Sequence, residues 1–284
     1  MSTEQKSGIL YIVATPIGNL EDISRRAVRV LSEVDLVAAE DTRHTGQLLS
    51  ALGISAELLS VHEHNEEKRS SQLIDQLASG LSVALVSDAG TPLISDPGFV
   101  IVRACREAGI RVVPVPGPSA VITALSVSGL PSDRFQFEGF LPRNSSKRRA
   151  RLEELVALPH TLICYESSHR LRDSLEDFRS VYEADRQVVI ARELTKQYET
   201  LLSGTPDELL GVLETDANQV RGEMVILVGP SAGKNSEELT ISVDKLLKAA
   251  LDELPPGQAA AMVARLTDMR KKELYQRTME MKKP

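Results

Sequence analysis

Between Ile9 and Val115 short aliphatic runs alternate with stretches of helical periodicity, and no other feature of the chain limits its fold as strongly. Ile9–Ala14, Asp35–Ala39, Glu57–Val61, Ser82–Ser87 and Arg111–Val115 have the length and composition of buried strands. Helical patterns lie between them at Ser24–Glu33, Gly46–Leu52, Glu66–Ser79 and Gly98–Ala108. In the first of these Ala27, Val28, Val30 and Leu31 recur at the spacing of one helix face. Strands that alternate with helices make a parallel sheet covered by helices, with its ligand side outside the carboxyl ends of the strands.

The pattern breaks at Pro114-Val115-Pro116-Gly117-Pro118, and Ser119–Ser128 then reads as a helix of small residues. A second series follows. Strands are expected at Phe135–Gly139, Thr161–Tyr165, Gln187–Arg192, Glu199–Ser203 and Glu223–Val228, and helices at Ser145–Leu158, Ser168–Val181 and Pro206–Glu214. Gly229–Asn235 reads as a linker; it is one residue short of a phosphate-binding loop and lacks that loop's final Ser or Thr. Val243–Asp252, Pro256–Leu266 and Lys271–Met279 are helical, and the last two, split by Thr267-Asp268-Met269-Arg270, have the length of a helix-turn-helix. The expected division is an N-terminal α/β domain over 1–117, a second α/β domain over 118–230, and a linker with a helical domain over 231–284.

Composition narrows the function. Apolar residues make up 42% of the 284, too many for a disordered chain. Trp is absent and aromatics are 4%, so the core is aliphatic. No apolar run approaches the roughly 20 residues of a membrane span, and the first eight residues lack the apolar stretch of a secretory signal. Cys105 and Cys164 form no CxxC, and His160 and His169 near Cys164 complete no zinc pattern. A cytoplasmic protein is expected, with no membrane and no metal. The net charge of −7 opposes indiscriminate nucleic-acid binding but leaves room for a local basic face.

The densest candidate site is Val86–Gly98, where two Gly, two Pro, two Asp, two Ser and one Thr crowd the end of a strand. Glycine allows close backbone approach to a ligand, proline stiffens the loop, and Asp and Ser supply polar partners. Read as a turn alone, the same residues would cap the next helix through Ser95 or Asp96. Ala14–Leu20 and Val115–Ala120 share this style, and none of the three is a G-x-G-x-x-G dinucleotide fingerprint.

Six segments carry a resemblance. They are Tyr11–Leu20, Ala39-Glu40-Asp41-Thr42-Arg43, Asp88–Gly98, Pro116-Gly117-Pro118-Ser119-Ala120, Tyr165-Glu166-Ser167 with His169-Arg170, and Ala191-Arg192-Glu193-Leu194-Thr195-Lys196. Together they resemble the tetrapyrrole-methylase superfamily, and within it the bacterial enzymes that methylate small-subunit ribosomal RNA. The resemblance implies two α/β domains with a cofactor cleft between them, a helix-turn-helix-like C-terminal domain, and a homodimer. It also implies S-adenosylmethionine as methyl donor and the ribose 2′-hydroxyl of a cytidine in the decoding region of 16S rRNA as acceptor. Carried over by motif, the cofactor residues are Thr15, Pro16, Asp88, Gly90, Thr91, Ser119, Ala120, Tyr165 and Leu194, with carbonyls beside Gly90 and Thr91 toward the sulfur.

Methyl transfer needs alignment of three atoms more than covalent help. A ribose hydroxyl is a weak nucleophile, so a general base within reach is expected. The catalytic candidates are Glu166, Lys196 and Glu193, with Glu40, Asp41 and His62 or His64 behind them. Arg143, Lys147, Arg148, Arg149 and Arg151 form a run with no intervening acid and are the expected RNA contacts. Arg265–Pro284 adds seven Lys or Arg against three acids. Two other readings fit parts of the pattern: a tetrapyrrole methylase with the same cleft, and a non-catalytic RNA-binding assembly factor of the ribosome.

Overall fold

The computed structural model describes residues 8–62, 64–231, 243–267 and 269–281. Contacts divide the chain into two units, Met1–Ser231 and Ala232–Pro284.

In the first unit, β1 (Ile9–Val13), β2 (Leu36–Ala39), β3 (Leu58–Ser60), β4 (Val83–Val86) and β5 (Arg111–Val115) form an all-parallel sheet in the order β3-β2-β4-β1-β5. Alternate residues face opposite sides of a strand. Leu10, Leu36, Ala38, Val83 and Leu85 therefore pack on one side, against Leu73 and Leu77 of α3 (Glu66–Ala78) and Ile101 and Cys105 of α4 (Phe99–Glu107). Val13, Val37, Ala39, Ala84 and Val86 pack on the other, against α1 (Arg25–Glu33) and Leu49 of α2 (Thr42–Ala51). α1 begins where expected because the Ser24 hydroxyl accepts from the Ala27 amide at 3.0 Å. α2 begins four residues before the expected Gly46, since Asp41 caps it through the Arg43 amide at 2.8 Å. The polar first turn Thr42-Arg43-His44-Thr45 carries no apolar periodicity and conceals that start.

The second sheet holds β6 (Phe135–Phe140), β7 (Thr161–Ser167), β8 (Val188–Arg192), β9 (Thr200–Gly204) and β10 (Glu223–Val228), in the order β6-β7-β10-β8-β9. Only β6 and β7 run parallel; the other three pairings are antiparallel. Leu162, Cys164, Val188, Ile190, Met224 and Ile226 face α6 (Ser145–Leu155), α7 (Leu171–Val181) and α8 (Pro206–Thr215). Ile163, Val189, Ala191, Val225 and Leu227 face Val121, Ala124 and Leu125 of α5 (Ala120–Val127). A bulge at Glu138 lets Phe137 pair with Ile163 and Gly139 with Cys164. α8 starts at a capping box of Thr205 and Glu208.

α6 and α7 are joined by a buried ion pair. Arg148 lies 2.6 Å from Asp177, their side chains are 2% and 6% exposed, and Ser145 also donates to Asp177 at 2.8 Å. Arg148, Leu152 and Leu155 form the inward face of α6. The structure thus removes Arg148 from the expected RNA surface, because its guanidinium is consumed inside the fold.

The second unit contains α9 (Val243–Glu253), α10 (Pro256–Leu266) and α11 (Lys271–Met281), packed through Leu247, Ala259, Ala260, Val263 and Leu274. Most of the expected linker, from residue 232 on, lies outside the described residues, as does Asp268 of the expected turn. Among the described residues no helix is long and apolar enough to cross a membrane.

Removing one partner of a buried pair leaves the other charge stranded, at a cost of about 3–5 kcal/mol. Asp177→Ala is expected to lower the unfolding free energy by that amount, and a double Arg148→Met, Asp177→Leu variant to recover most of it. Urea denaturation of the single and double variants measures both.

Candidate functional site

A cavity of about 480 Å³ opens at the carboxyl ends of the first sheet and reaches β7 and β10 of the second. That volume lies within the roughly 300–1,000 Å³ of small-molecule sites. Three loops that leave different strands form one side of it. The Thr15 amide donates to the Gly90 carbonyl at 2.9 Å and the Gly90 amide to the Thr15 carbonyl at 3.1 Å, which pins the loop after β1 to the loop after β4. The Thr15 hydroxyl also donates to the Ser87 carbonyl. The Thr91 hydroxyl donates to the Pro118 carbonyl at 3.0 Å and brings in the loop after β5.

The Asp88–Gly98 loop is held under strain. Leu93 and Ser95 have φ of 74° and 68°, a region that costs a side-chain-bearing residue about 1–3 kcal/mol. Gly90 and Gly98, at 82° and 127°, take such angles without that cost. The far end of the loop is fixed by Glu66, the first residue of α3. Its buried carboxylate accepts from the amides of Gly98 at 3.0 Å and Val100 at 2.8 Å, where α4 begins. Neither Ser95 nor Asp96 caps α4; a glutamate distant in sequence does. No local spacing reveals such a contact, so sequence reasoning missed Glu66.

Five carboxylate residues border the cavity, and three of them, Glu40, Asp88 and Asp96, come from the first sheet's loops. Burial, followed by the charges of Asp96 and Asp88, pushes the Glu40 carboxyl above its ordinary pKa. Burial first, and then Asp88, does the same to Asp96 despite a hydrogen bond from Ser87. Burial and the nearby Asp96 push the Tyr165 phenol up to about 12. Like charges gathered in a half-buried hollow repel one another, and a positively charged ligand relieves the repulsion.

Of the expected cofactor residues, Asp88, Gly90, Thr91, Ser119, Ala120, Tyr165 and Leu194 border the cavity. Thr15 and Pro16 do not; Thr15 is buried behind Gly90 and shapes the wall through its backbone. The Gly90 carbonyl accepts from the Thr15 amide. Glu40, Asp96, Ile17, Phe140, Gly222 and Glu223 border the cavity as well. Of these, Asp96 stood in the conspicuous loop, but which of its residues point inward depends on the left-handed turns.

Glu166 borders the cavity, yet its carboxylate is sequestered. It takes the Ser174 hydroxyl at 2.5 Å, the Ser167 amide at 2.7 Å and the Arg170 guanidinium at 2.6 Å. Glu193 and Lys196 are not among the bordering residues. The Lys196 ammonium sits 2.9 Å from both Glu193 and Glu223, and its chain lies over Gly18, where a Cβ would meet it at 2.5 Å. These two residues clamp the loop after β8 to the loop after β1. Asp41 is occupied by Arg43, which holds its carboxyl well below the usual range. His62 contacts Asn65 at 3.0 Å, and neither His62 nor His64 borders the cavity. Arg143, Lys147 and Arg149 are exposed, whereas Arg151 is tied to Glu138 and Glu154.

A carboxyl with a raised native pKa binds more protons folded than unfolded, so it lowers stability as pH rises from its ordinary value through its folded one. Glu40→Gln is therefore expected to raise the melting temperature of the ligand-free protein at pH 7. The gain should vanish below about pH 4, where the unfolded carboxyl is itself protonated. Scanning calorimetry at several pH values checks both halves.

Comparison with known proteins fits this architecture. Residues 9–210 match the model of the tetrapyrrole (corrin/porphyrin) methylases, and 237–282 match that of the RsmI C-terminal HTH domain. The chain is 53% identical to ribosomal RNA small subunit methyltransferase I of Escherichia coli O157:H7, covering 98% of this chain and 97% of that one. It is 52% identical to the protein of that name from Haemophilus influenzae, covering 95% and 96%. Among solved structures, a uroporphyrin-III-C-methyltransferase from Thermus thermophilus aligns over 81% of this chain and 98% of its own, with a TM-score of 0.55 and 24% identity. A Thermus thermophilus enzyme described as complexed with S-adenyl homocysteine aligns with a TM-score of 0.54 at 18% identity, over 78% and 97%. With more than half its length matched by the family model and half its residues shared with relatives along nearly the whole chain, this protein belongs to the tetrapyrrole (corrin/porphyrin) methylase family.

Proposed function

We propose that the protein transfers a methyl group from S-adenosylmethionine to the ribose 2′-hydroxyl of a cytidine in the decoding region of 16S rRNA. The observation that carries this reading is the cavity itself, which is ligand-sized, walled by backbone loops, and bordered by Glu40, Asp88 and Asp96 where a cation is due. The near-full-length relatives named as small-subunit ribosomal RNA methyltransferases favour this acceptor over a tetrapyrrole and over a non-catalytic assembly role.

The residues present fit the donor. When bound, S-adenosylmethionine supplies an electrophilic methyl on a positively charged sulfur. Asp88 and Glu40 would hold its cationic and hydroxyl groups, with Thr91, Ser119 and Ala120 along the wall and Leu194 and Tyr165 opposite. The knitted loops keep these groups fixed, so little reorganisation is needed when the reactants align. The acceptor hydroxyl would have to give up its proton to a residue of this chain. Asp96 is our choice of acceptor: it borders the cavity, and burial makes it more basic than an ordinary carboxylate. Glu166, with Ser167, Ser174 and Arg170 all donating to its carboxylate, positions Arg170 and the end of β7 instead. Glu193 and Lys196 keep the roles of a clamp on the wall.

RNA contact is assigned to the exposed Arg143, Lys147 and Arg149, with Arg151 held back by its two glutamates. A three-domain division at 117/118 and 230/231 is supported by α5, whose apolar face joins the second sheet rather than the first. We also propose a cytoplasmic homodimer; Ile122 and Val127 of α5, both about half exposed, are apolar surface that a second copy would cover.

Labelled S-adenosylmethionine with small ribosomal subunits tests the function. Label on the ribose of a decoding-region cytidine is expected, and label on a base or none at all rejects the acceptor. Asp96→Asn should lower kcat by about 100-fold, in the range of a general-base contribution. Lys147→Ala with Arg149→Ala should weaken RNA binding and reduce the slope of log K against log salt by nearly 2.

A further inference from the structure

Next to the cavity lies a second hollow of about 660 Å³. Phe140, the last residue of β6, and Leu141 through Arg143 after it form one side, and Ser167, His169 and Arg170, at and just after the end of β7, form the other. Phe140 and Ser167 border both hollows, so the two spaces adjoin. The second one is almost wholly apolar inside and basic at its rim.

Three features suit it to one chemical class. The first is the ring of Phe140. The residue is 58% exposed and is braced edge-on by Tyr165 at 5.5 Å, which in turn meets Phe137 at 5.0 Å. A chain with five Phe, five Tyr and no Trp places three of these rings together here. The second is rigidity. Arg170 is locked by Glu166, by the Ser167 hydroxyl and by the Leu141 carbonyl, so the wall between the hollows is tied on both sides. The third is unspent positive charge. Arg143 and His169 are exposed at the rim, and among the described residues neither side chain has an ion pair or hydrogen bond.

We propose that this hollow is a nucleotide subsite that takes the unstacked RNA base adjoining the methyl acceptor, with Phe140 as stacking platform and Arg143 as phosphate contact. The inference rests on RNA being the substrate. A ribose inside a helix cannot enter a cavity of this kind, so the acceptor and its neighbour must leave the stack. An exposed aromatic beside a cation replaces the lost stacking and neutralises the adjoining phosphate. His169 shares the phosphate side. The Phe140 ring tolerates any base, so the subsite holds the strand in register without reading sequence.

The test uses the full-length protein and a single-stranded oligoribonucleotide of the decoding-region sequence. Phe140→Trp places one indole in a chain that has none, and its emission is expected to be quenched when the oligonucleotide is added. At saturating methyl donor, Phe140→Leu should raise KM for the oligonucleotide about tenfold, the scale of one lost base–aromatic stack, while Phe140→Tyr restores it. Arg143→Ala should raise KM and reduce the salt slope by about one. An unquenched indole, or wild-type KM in both Phe140→Leu and Arg143→Ala while the wild type methylates the RNA, overturns the subsite alone. A wild type that methylates no RNA overturns the underlying reading as well.

Discussion

The cavity depends on a two-bond bridge between Thr15 and Gly90. Parallel strands end side by side, but the loops that leave them diverge unless something ties them together. Here the loops after β1 and β4 are tied through backbone atoms, and the Thr91 hydroxyl adds the third through the Pro118 carbonyl. Each such bond contributes only about 0.5–1.5 kcal/mol net. Their importance lies in geometry, since together they over-determine a loop that carries two strained non-glycine residues. Glu66 supplies the stronger anchor, because hydrogen bonds to a charged group contribute about 1.5–3 kcal/mol each. That scale matches the strain at Leu93 and Ser95.

The electrostatics follow from the same arrangement. Knitted loops bring Glu40, Asp88 and Asp96 to one rim, where among the described residues none of the three has an ion pair and their mutual charges help push Glu40 and Asp96 up. Elsewhere the fold pairs its charges closely, as with Arg148 and Asp177 inside or Lys196 between Glu193 and Glu223. The contrast marks the rim as a place where the missing countercharge belongs to a ligand.

Much of the fold was legible because aliphatic runs and helix caps are local signals. The strands of the first sheet, α1 from Ser24 and α10 from Pro256 lie at or near the places their residues indicate. The antiparallel order of the second sheet was not legible, since pairing direction depends on where chain segments return and leaves no local mark. The site divides in the same way. The Asp88–Gly98 loop announced itself by composition, but Glu66 and the inward turn of Asp96 arise only in three dimensions. Arg148 misled by its neighbours. Its spacing to Leu152 and Leu155 is that of a buried helix face, and that period outweighs membership of a basic run.

The bulge in β6 settles a matter of parity. In an unbroken strand Phe137 and Phe140 would point to opposite sides, and one of them would enter the layer beneath α6 and α7. The extra residue at Glu138 shifts the count by one, so Phe140 pairs with Tyr165 and both rings reach the same aromatic neighbour. A strand that kept Glu138 but lost the bulge would turn the phenyl group inward and present a smooth, ringless lip in its place.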